Sequence, residues 1–226
     1  MDRLKKPKEF LERLGLTDSD YQDSGMKNHI ADLLERYNAE QLILHGVSGS
    51  SFQHLMLDIE TMGNESFSSI VSIGAVEFDI ETGKTGKEFY TNVDLQSCID
   101  LGLIMNASTI MWWMQQNEQA RKDLTERASL PIIEALKYFA NFCNKDYQIW
   151  GNSARFDCGI LQNAYNKAGM TIPWDFRKER CVRTLVSFAP EIKTNYKSVG
   201  TAHNAVDDCK FQIGYCSEIW RSLNCH

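Results

Sequence analysis

The segment Leu55-Met-Leu-Asp-Ile-Glu60 is a short apolar run with two acids set into it. Such a run predicts a β-strand, in which residues two apart point to the same face. We therefore expect the carboxylates of Asp58 and Glu60 to project side by side. Two adjacent carboxylates repel each other and are costly to dehydrate unless a cation lies between them. The pair indicates either a divalent cation site or a strand end where both acids are solvated.

The chain that follows this strand predicts an α/β fold. Two more strands are expected at residues 70–79 and 89–93, joined by a turn at residues 81–83. Periodic apolar residues then predict five helices and one further strand. The expected helices span residues 108–121, 130–144, 156–168, 182–188 and 203–223, and the strand spans residues 147–151. A mixed β-sheet flanked by helices is the architecture that this order favours.

The first 50 residues differ from the rest of the chain. Their apolar residues recur at helical spacing, and residues 45–51 are small and polar, which is typical of a linker. We expect a short helical N-terminal extension over residues 1–50 and the main domain over residues 51–226. We expect this extension to dock on the main domain, on a second copy of the chain in a homodimer, or on a protein partner.

A third acid follows the expected strand at residues 147–151. The segment Trp150-Gly-Asn-Ser-Ala-Arg-Phe-Asp157 runs from that strand through small residues into the next helix. Loops at strand ends are where α/β folds build their sites. Asp157 is therefore either a site residue or the N-cap of this helix.

The segment Ala202-His-Asn-Ala-Val-Asp-Asp208 opens the last helix. Asp208 shares a helical stripe with the apolar residues that are expected to pack on the sheet, namely Phe211, Tyr215, Cys216 and Ile219. Asp207 lies about 100° away from that stripe, so Asp208 is predicted to be the inward acid. His203 is either a structural residue at the helix start or a general base.

Together these residues suit phosphodiester hydrolysis. Two Mg²⁺ or Mn²⁺ ions about 4 Å apart require several oxygen ligands. Asp58, Glu60, Asp157 and Asp208 are the predicted ligands. An imidazole beside the attacking water accepts its proton at neutral pH, and His203 is predicted to do so.

Composition narrows the function further. The net charge is −6, which argues against a protein that coats nucleic acid, because phosphate neutralisation supplies most of the affinity of such proteins. A nuclease is compatible with this charge, because bound metal ions make the electrostatic potential at the site positive. The seven cysteines are scattered without a CxxC pair, so we expect buried free thiols rather than disulfides or zinc. Neither a membrane span nor a signal peptide is evident, and a cytoplasmic location is expected.

The three acidic segments resemble the motifs of the DEDD superfamily of 3′–5′ exonucleases, in the DnaQ-like subgroup with histidine (DEDDh). Asp58-Ile-Glu60 is similar to the first motif, residues 152–157 to the second, and His203 with Asp208 to the third. A closer resemblance, to small phage and prophage exonucleases and related bacterial exoribonucleases, rests on residues 58–63, 109–113, 119–121, 150–152, 182–184 and 203–205. Those relatives tend to have an aspartate where this chain has Cys181.

The resemblance implies a ribonuclease H-like fold and a 3′–5′ exonuclease that releases nucleoside 5′-monophosphates from single-stranded 3′ ends, with DNA favoured. It also implies that the backbone around Thr61 and Met62 meets the terminal nucleotide. Trp112 and Trp113 point about 100° apart on a helix, so one is expected in the core and the other is a candidate to stack on a base. Asn152 and Phe156 are the remaining candidates for substrate contacts.

Three alternatives remain open. An exoribonuclease that trims RNA 3′ ends would use the same chemistry, because discrimination rests on contacts to the 2′-hydroxyl. A catalytically silent binding module would act through the N-terminal helices. A metal-dependent phosphatase would act on mononucleotides instead.

Overall fold

The computed structural model of the protein describes residues 52–125, 128–197 and 204–224. The predicted helical extension over residues 1–50 lies outside the described residues, and so does His203. Within the described ranges, no helix combines the length and apolar character that crossing a membrane requires.

A six-stranded mixed sheet forms the centre of the fold, in the order β4-β3-β2-β1-β5-β6. β1 pairs antiparallel with β2 and parallel with β5, so the carboxyl ends of β1 and β5 meet at one edge. The strands are β1 (His54–Thr61), β2 (Ile70–Phe78), β3 (Thr85–Val93), β4 (Ser129–Leu130), β5 (Gln148–Gly151) and β6 (Glu179–Cys181).

Eight helices in the described part of the chain accompany this sheet. They are α1 (Leu95–Asp100), α2 (Ala107–Met114), α3 (Glu118–Thr125), α4 (Ile132–Phe142), α5 (Ala154–Lys167), α6 (Val182–Val186), α7 (Pro190–Asn195) and α8 (Ala205–Asn224). Apolar residues of α4 and α5 form one core with Leu55, Leu57 and Ile59 of β1. Those of α6 and α8 form a second core with Met56. The sheet is therefore covered on both faces.

The predicted α/β architecture is confirmed, and the main corrections concern short elements. Residues 108–121 form two helices, because Asn117 accepts a hydrogen bond from the Ala120 N–H and starts α3 anew. The predicted helix over residues 130–144 begins only at Ile132, since residues 129–130 pair with β3 as β4. The third strand begins at Thr85 instead of Phe89. In its first residues most side chains are exposed, so no apolar run signals them.

The cysteine prediction is confirmed for the described part of the chain. Six cysteines are free there, and five of these are buried. Cys181 is the partly exposed one.

Gly74 allows α8 to approach the sheet closely. It lies on β2 directly opposite Asp58 of β1. An added Cβ at Gly74 would lie 2.6 Å from both the carbonyl carbon and the Cβ of Ala205, the first residue of α8. The absence of a side chain at Gly74 therefore sets how near the start of α8 comes to Asp58.

Gly74→Ala tests this contact. The added methyl forces α8 to shift, and overpacking of this kind costs about 1–3 kcal/mol. In a domain of this size each kcal/mol lowers Tm by about 2–4 °C, which thermal unfolding measures. Gly159→Ala on α5 is the matched control, because its Cβ would meet no atom within 4 Å and alanine favours a helix by about 0.5–1 kcal/mol. Equal Tm values for the two variants would refute the contact.

Candidate active site at the carboxyl ends of two parallel strands

Three predicted site residues come together beside the carboxyl end of β1. One carboxylate oxygen from each of Asp58, Glu60 and Asp208 lies within 4.8 Å of the other two. Asp58 and Glu60 share the face of β1 that turns toward α8, as the two-residue period predicts. Asp208 comes from the first turn of α8. Asn204 holds that turn, because its side chain accepts hydrogen bonds from the N–H groups of Val206 and Asp207.

Asp157 reaches the same place from α5. It is the fourth residue of that helix and not its N-cap, which is Ser153. Its Oδ1 accepts a hydrogen bond from the Ile59 N–H at 3.3 Å, which ties α5 to β1 between the other two acids. Its Oδ2 is buried and has no hydrogen-bond donor in the described part of the chain. A buried carboxylate oxygen without a donor is costly, so this atom fits a bound cation.

Gly151 makes room for Asp157. An added Cβ at Gly151 would lie 2.9 Å from both the Cβ and Oδ2 of Asp157. The strand therefore has to end in a residue without a side chain if Asp157 is to face the other carboxylates.

All four acids line one cavity of about 340 Å³. The predicted residues Asn152 and Phe156 line it as well. Asp207 does not, whereas Asp208 does, as the helical stripe predicts. Thr61, Met62, Trp112 and Trp113 are not among the lining residues.

The segment around Thr61 is held by one of the two tryptophans. Trp113 is 3% exposed, and its indole N–H donates to the Thr61 carbonyl at 3.0 Å. Trp112 is 42% exposed and packs edge-on against Trp113. The expectation that one of the pair belongs to the core is therefore met by Trp113. The exposed ring of Trp112 stays the candidate for stacking on a base.

Burial is the main reason why the pKa values of Asp58, Glu60 and Asp157 are raised. Burial raises the pKa of Asp58 well above its usual value, and its three carboxylate neighbours raise it further. Burial, then Asp208 and Asp157, raise the pKa of Glu60 to about 8. Burial raises the pKa of Asp157 to about 7, although hydrogen bonds from backbone N–H groups and the charge of Arg183 oppose this shift. A divalent cation among the acids would stabilise their ionised forms and so counteract these shifts.

Three further lining residues were not predicted from the sequence. Gln212 donates from Nε2 to the Asp58 Oδ1 at 2.8 Å and so orients that carboxylate. It lies four residues after Asp208, and this i, i+4 spacing was the signal that could have found it. Arg183 of α6 and Lys193 of α7 also line the cavity. Arg183 belongs to residues 182–184, a segment that carries the family resemblance but received no role in it. No local pattern marks Lys193, because α7 meets the site only through the tertiary fold.

Four carboxylates gathered in one cavity beside the carboxyl ends of β1 and β5 are the arrangement that the sequence resemblance to the DEDD 3′–5′ exonucleases predicts. The sequence matches the family described as 3′–5′ exoribonuclease Rv2179c-like domain over residues 53–220. The chain belongs to this family, and its main domain is a 3′–5′ exonuclease domain. A search of curated protein sequences gave no match.

Solved structures share the fold at low sequence identity. E. coli exonuclease I in complex with single-stranded DNA, in a zinc-bound form, superimposes with a TM-score of 0.54 and 14% identity over 76% of this chain. S. pombe Pop2p, in its Mg²⁺- and Mn²⁺-bound form, superimposes with a TM-score of 0.56 and 12% sequence identity, over 84% of this chain and 89% of Pop2p. The nuclease domain of 3′hExo, a DEDDh family member bound to rAMP, superimposes with a TM-score of 0.50 and 14% sequence identity. The match covers 76% of this chain and 94% of the 3′hExo domain. This chain spans about 40% of the length of exonuclease I.

Crowding of the acids predicts the pH dependence of stability without metal. Carboxyl groups titrate near pH 4 in the unfolded chain and at higher pH in the fold. Their contribution is therefore fully present below about pH 4 and is lost as pH rises to about 8. In EDTA, Asp58→Asn should raise Tm relative to wild type at pH 8 by at least about 2–4 °C, the shift for 1 kcal/mol, and change it little at pH 4.

Asparagine at position 58 keeps the oxygen that accepts from Gln212, so the substitution removes charge without removing that bond. Mg²⁺ should raise the Tm of wild type at pH 8 and have little effect at pH 4. A variant that is less stable than wild type at pH 8 in EDTA would show that repulsion among the acids is not a net cost.

Proposed function

We propose that this protein is a divalent-metal-dependent exoribonuclease that removes nucleoside 5′-monophosphates from the 3′ ends of single-stranded RNA. The observation that carries the proposal is the cluster of three carboxylates within 4.8 Å beside the buried, unpartnered Oδ2 of Asp157. Carboxylates that are buried this close together repel each other, and a bound cation would remove that cost.

The donor set fits Mg²⁺ or Mn²⁺, which prefer carboxylate oxygens. Asp58, Glu60 and Asp208 would hold one ion, and Asp157 would complete the ligands of a second. When bound, two such ions neutralise charge on the phosphate and make water more acidic. S. pombe Pop2p, which shares the fold, has been solved with Mg²⁺ and Mn²⁺.

The chain's own groups would orient the acids and accept a proton. Gln212 and the Ile59 N–H fix Asp58 and Asp157 by the hydrogen bonds described above. His203 precedes Asn204, whose side chain caps α8, so in the sequence it stands at the entrance to the helix that carries Asp208. Its imidazole would accept the proton of the attacking water at neutral pH.

RNA is the first candidate substrate because the family is described as exoribonucleases and 3′hExo has been solved with rAMP. Single-stranded DNA, which the sequence resemblance favoured, is the second candidate. The fold it shares with exonuclease I, solved with single-stranded DNA, supports it. A contact with a second copy or a protein partner through residues 1–50, and a cytoplasmic location, stay predictions.

Parallel digestion decides between these substrates. RNA and DNA oligonucleotides of one sequence, labelled at the 5′ end, should be shortened stepwise from the 3′ end, with RNA degraded faster. EDTA should stop the reaction, Mg²⁺ or Mn²⁺ should restore it, and a blocked 3′-hydroxyl should protect the strand. Asp208→Asn should be inactive, and Asp207→Asn is the matched control that should keep most activity. Early internal fragments, or cleavage after thorough metal removal, would refute the proposal, and faster loss of DNA would reverse the choice of substrate.

His203→Ala tests the general base separately. Loss of a positioned base lowers kcat by about 10²–10⁴, whereas the affinity for Mn²⁺ should change little because histidine is not a proposed ligand. The activity of wild type should also fall as pH drops through the imidazole pKa. This fall on the acidic side of the pH–activity profile should be absent in His203→Ala. Near-full activity would make His203 structural, and loss of Mn²⁺ binding would make it a ligand.

A further inference from the structure

The acidic cavity has two cations among its lining residues. Arg183 comes from α6 and Lys193 from α7, and both line the cavity that the four carboxylates share. α6 belongs to the same core as α8, so its position is fixed by packing. Catalysis as proposed above uses neither cation.

In the part of the chain that the structure describes, no direct ion pair with an acid holds these cations, although the charge of Arg183 lowers the pKa of Asp157. Within the described ranges, the Arg183 guanidinium donates no hydrogen bond, and neither cation forms an ion pair with a carboxylate. Arg183 is exposed. The Lys193 ammonium lies 5.5 Å from the centre of the Tyr215 ring, another residue lining the cavity. Both groups therefore keep donors available to a bound anion.

The size of the cavity limits which anion they meet. About 340 Å³ lies at the lower end of the range of about 300–1,000 Å³ for ligand pockets. When an enzyme removes the 3′-terminal nucleotide of a strand, every phosphate of that strand other than the scissile one lies on the 5′ side of the bond that is cut. The proposed metal ions would hold the scissile phosphate, so the next phosphate in the 5′ direction is the nearest anion left for the two cations.

We propose that Arg183 and Lys193 form a subsite for the phosphate group that lies one nucleotide 5′ of the scissile phosphate. The proposal rests on the exonuclease function proposed above. The planar guanidinium of Arg183 suits two non-bridging phosphate oxygens at once, and Lys193 adds a mobile point charge. In a chain with a net charge of −6, such a local subsite supplies phosphate attraction that the surface as a whole lacks.

Two dinucleotides isolate this subsite. ApA contains only the scissile phosphate, whereas pApA has one more on its 5′ side. For wild type, kcat/KM should be about 10–100-fold higher for pApA, which is the range of a charge-assisted hydrogen bond. Arg183→Ala and Lys193→Ala should each bring the ratio of kcat/KM for pApA to kcat/KM for ApA toward one, and Arg183→Lys should retain part of the preference for pApA. Lys137→Ala on α4, an exposed lysine on the other face of the sheet, is the charge-matched control and should keep the wild-type ratio.

Equilibrium binding of both dinucleotides, with Ca²⁺ in place of Mg²⁺ to prevent hydrolysis, separates the subsite from the reaction. If wild type binds pApA more tightly than ApA and Arg183→Ala removes this difference, the subsite is supported. If wild type also cleaves neither dinucleotide, only the proposed function is refuted. Equal losses on ApA and pApA would place the cations on the scissile phosphate and overturn the proposal. The proposal would also be overturned if the Arg183 and Lys193 variants changed the half-activating Mg²⁺ concentration but kept the wild-type ratio of kcat/KM for pApA and ApA. The two cations would then only neutralise the acids.

Discussion

Mutual repulsion among four carboxylates is the constraint on which this structure depends. Three of them converge within 4.8 Å, and the fourth, Asp157, is 2% exposed. Desolvation raises the pKa values of Asp58, Glu60 and Asp157, and neighbouring carboxylates add to the shifts of Asp58 and Glu60. The fold has to hold these groups together against a force that separates them, and a divalent cation is the partner that turns this cost into binding energy.

Apolar packing supplies the restraint. α8 runs across β1 and β2 on an apolar stripe that includes Cys209, Ile213 and Cys216, all buried against Met56 and Val76. Gly74 lets the first turn of that helix come close to the sheet, so Asp208 reaches Asp58. The hydrogen bonds from Gln212 to Asp58 and from the Ile59 N–H to Asp157 orient two of the acids. Burial of apolar surface on both faces of the sheet thus stabilises a charged edge that is unfavourable by itself.

Residues with a local signature could be predicted from the sequence. The two-residue period of a strand placed Asp58 and Glu60 on one face, and the helical stripe chose Asp208 over Asp207; the structure agrees with both. β6 and α7 were missed because they are short and polar, and β6 exists only through its pairing with β5. Lys193 lies on α7 and reaches the site through tertiary contacts that periodicity cannot report. Arg183 lies on a predicted helix, but the approach of that helix to the acids also depends on the tertiary fold. The break between α2 and α3 was missed because Asn117, a capping residue, stands between two stretches with helical spacing.

Titration of the metal-free protein with Mn²⁺ at pH 7.5, followed by the EPR signal of free Mn²⁺, measures whether the carboxylates hold divalent cations. We expect two bound Mn²⁺ ions per chain in wild type, weaker binding with fewer ions in Asp58→Asn, and unchanged binding in Asp207→Asn. If wild type bound no Mn²⁺, or if Asp58→Asn bound it as wild type does, the carboxylates would be clustered for a reason other than holding a divalent cation.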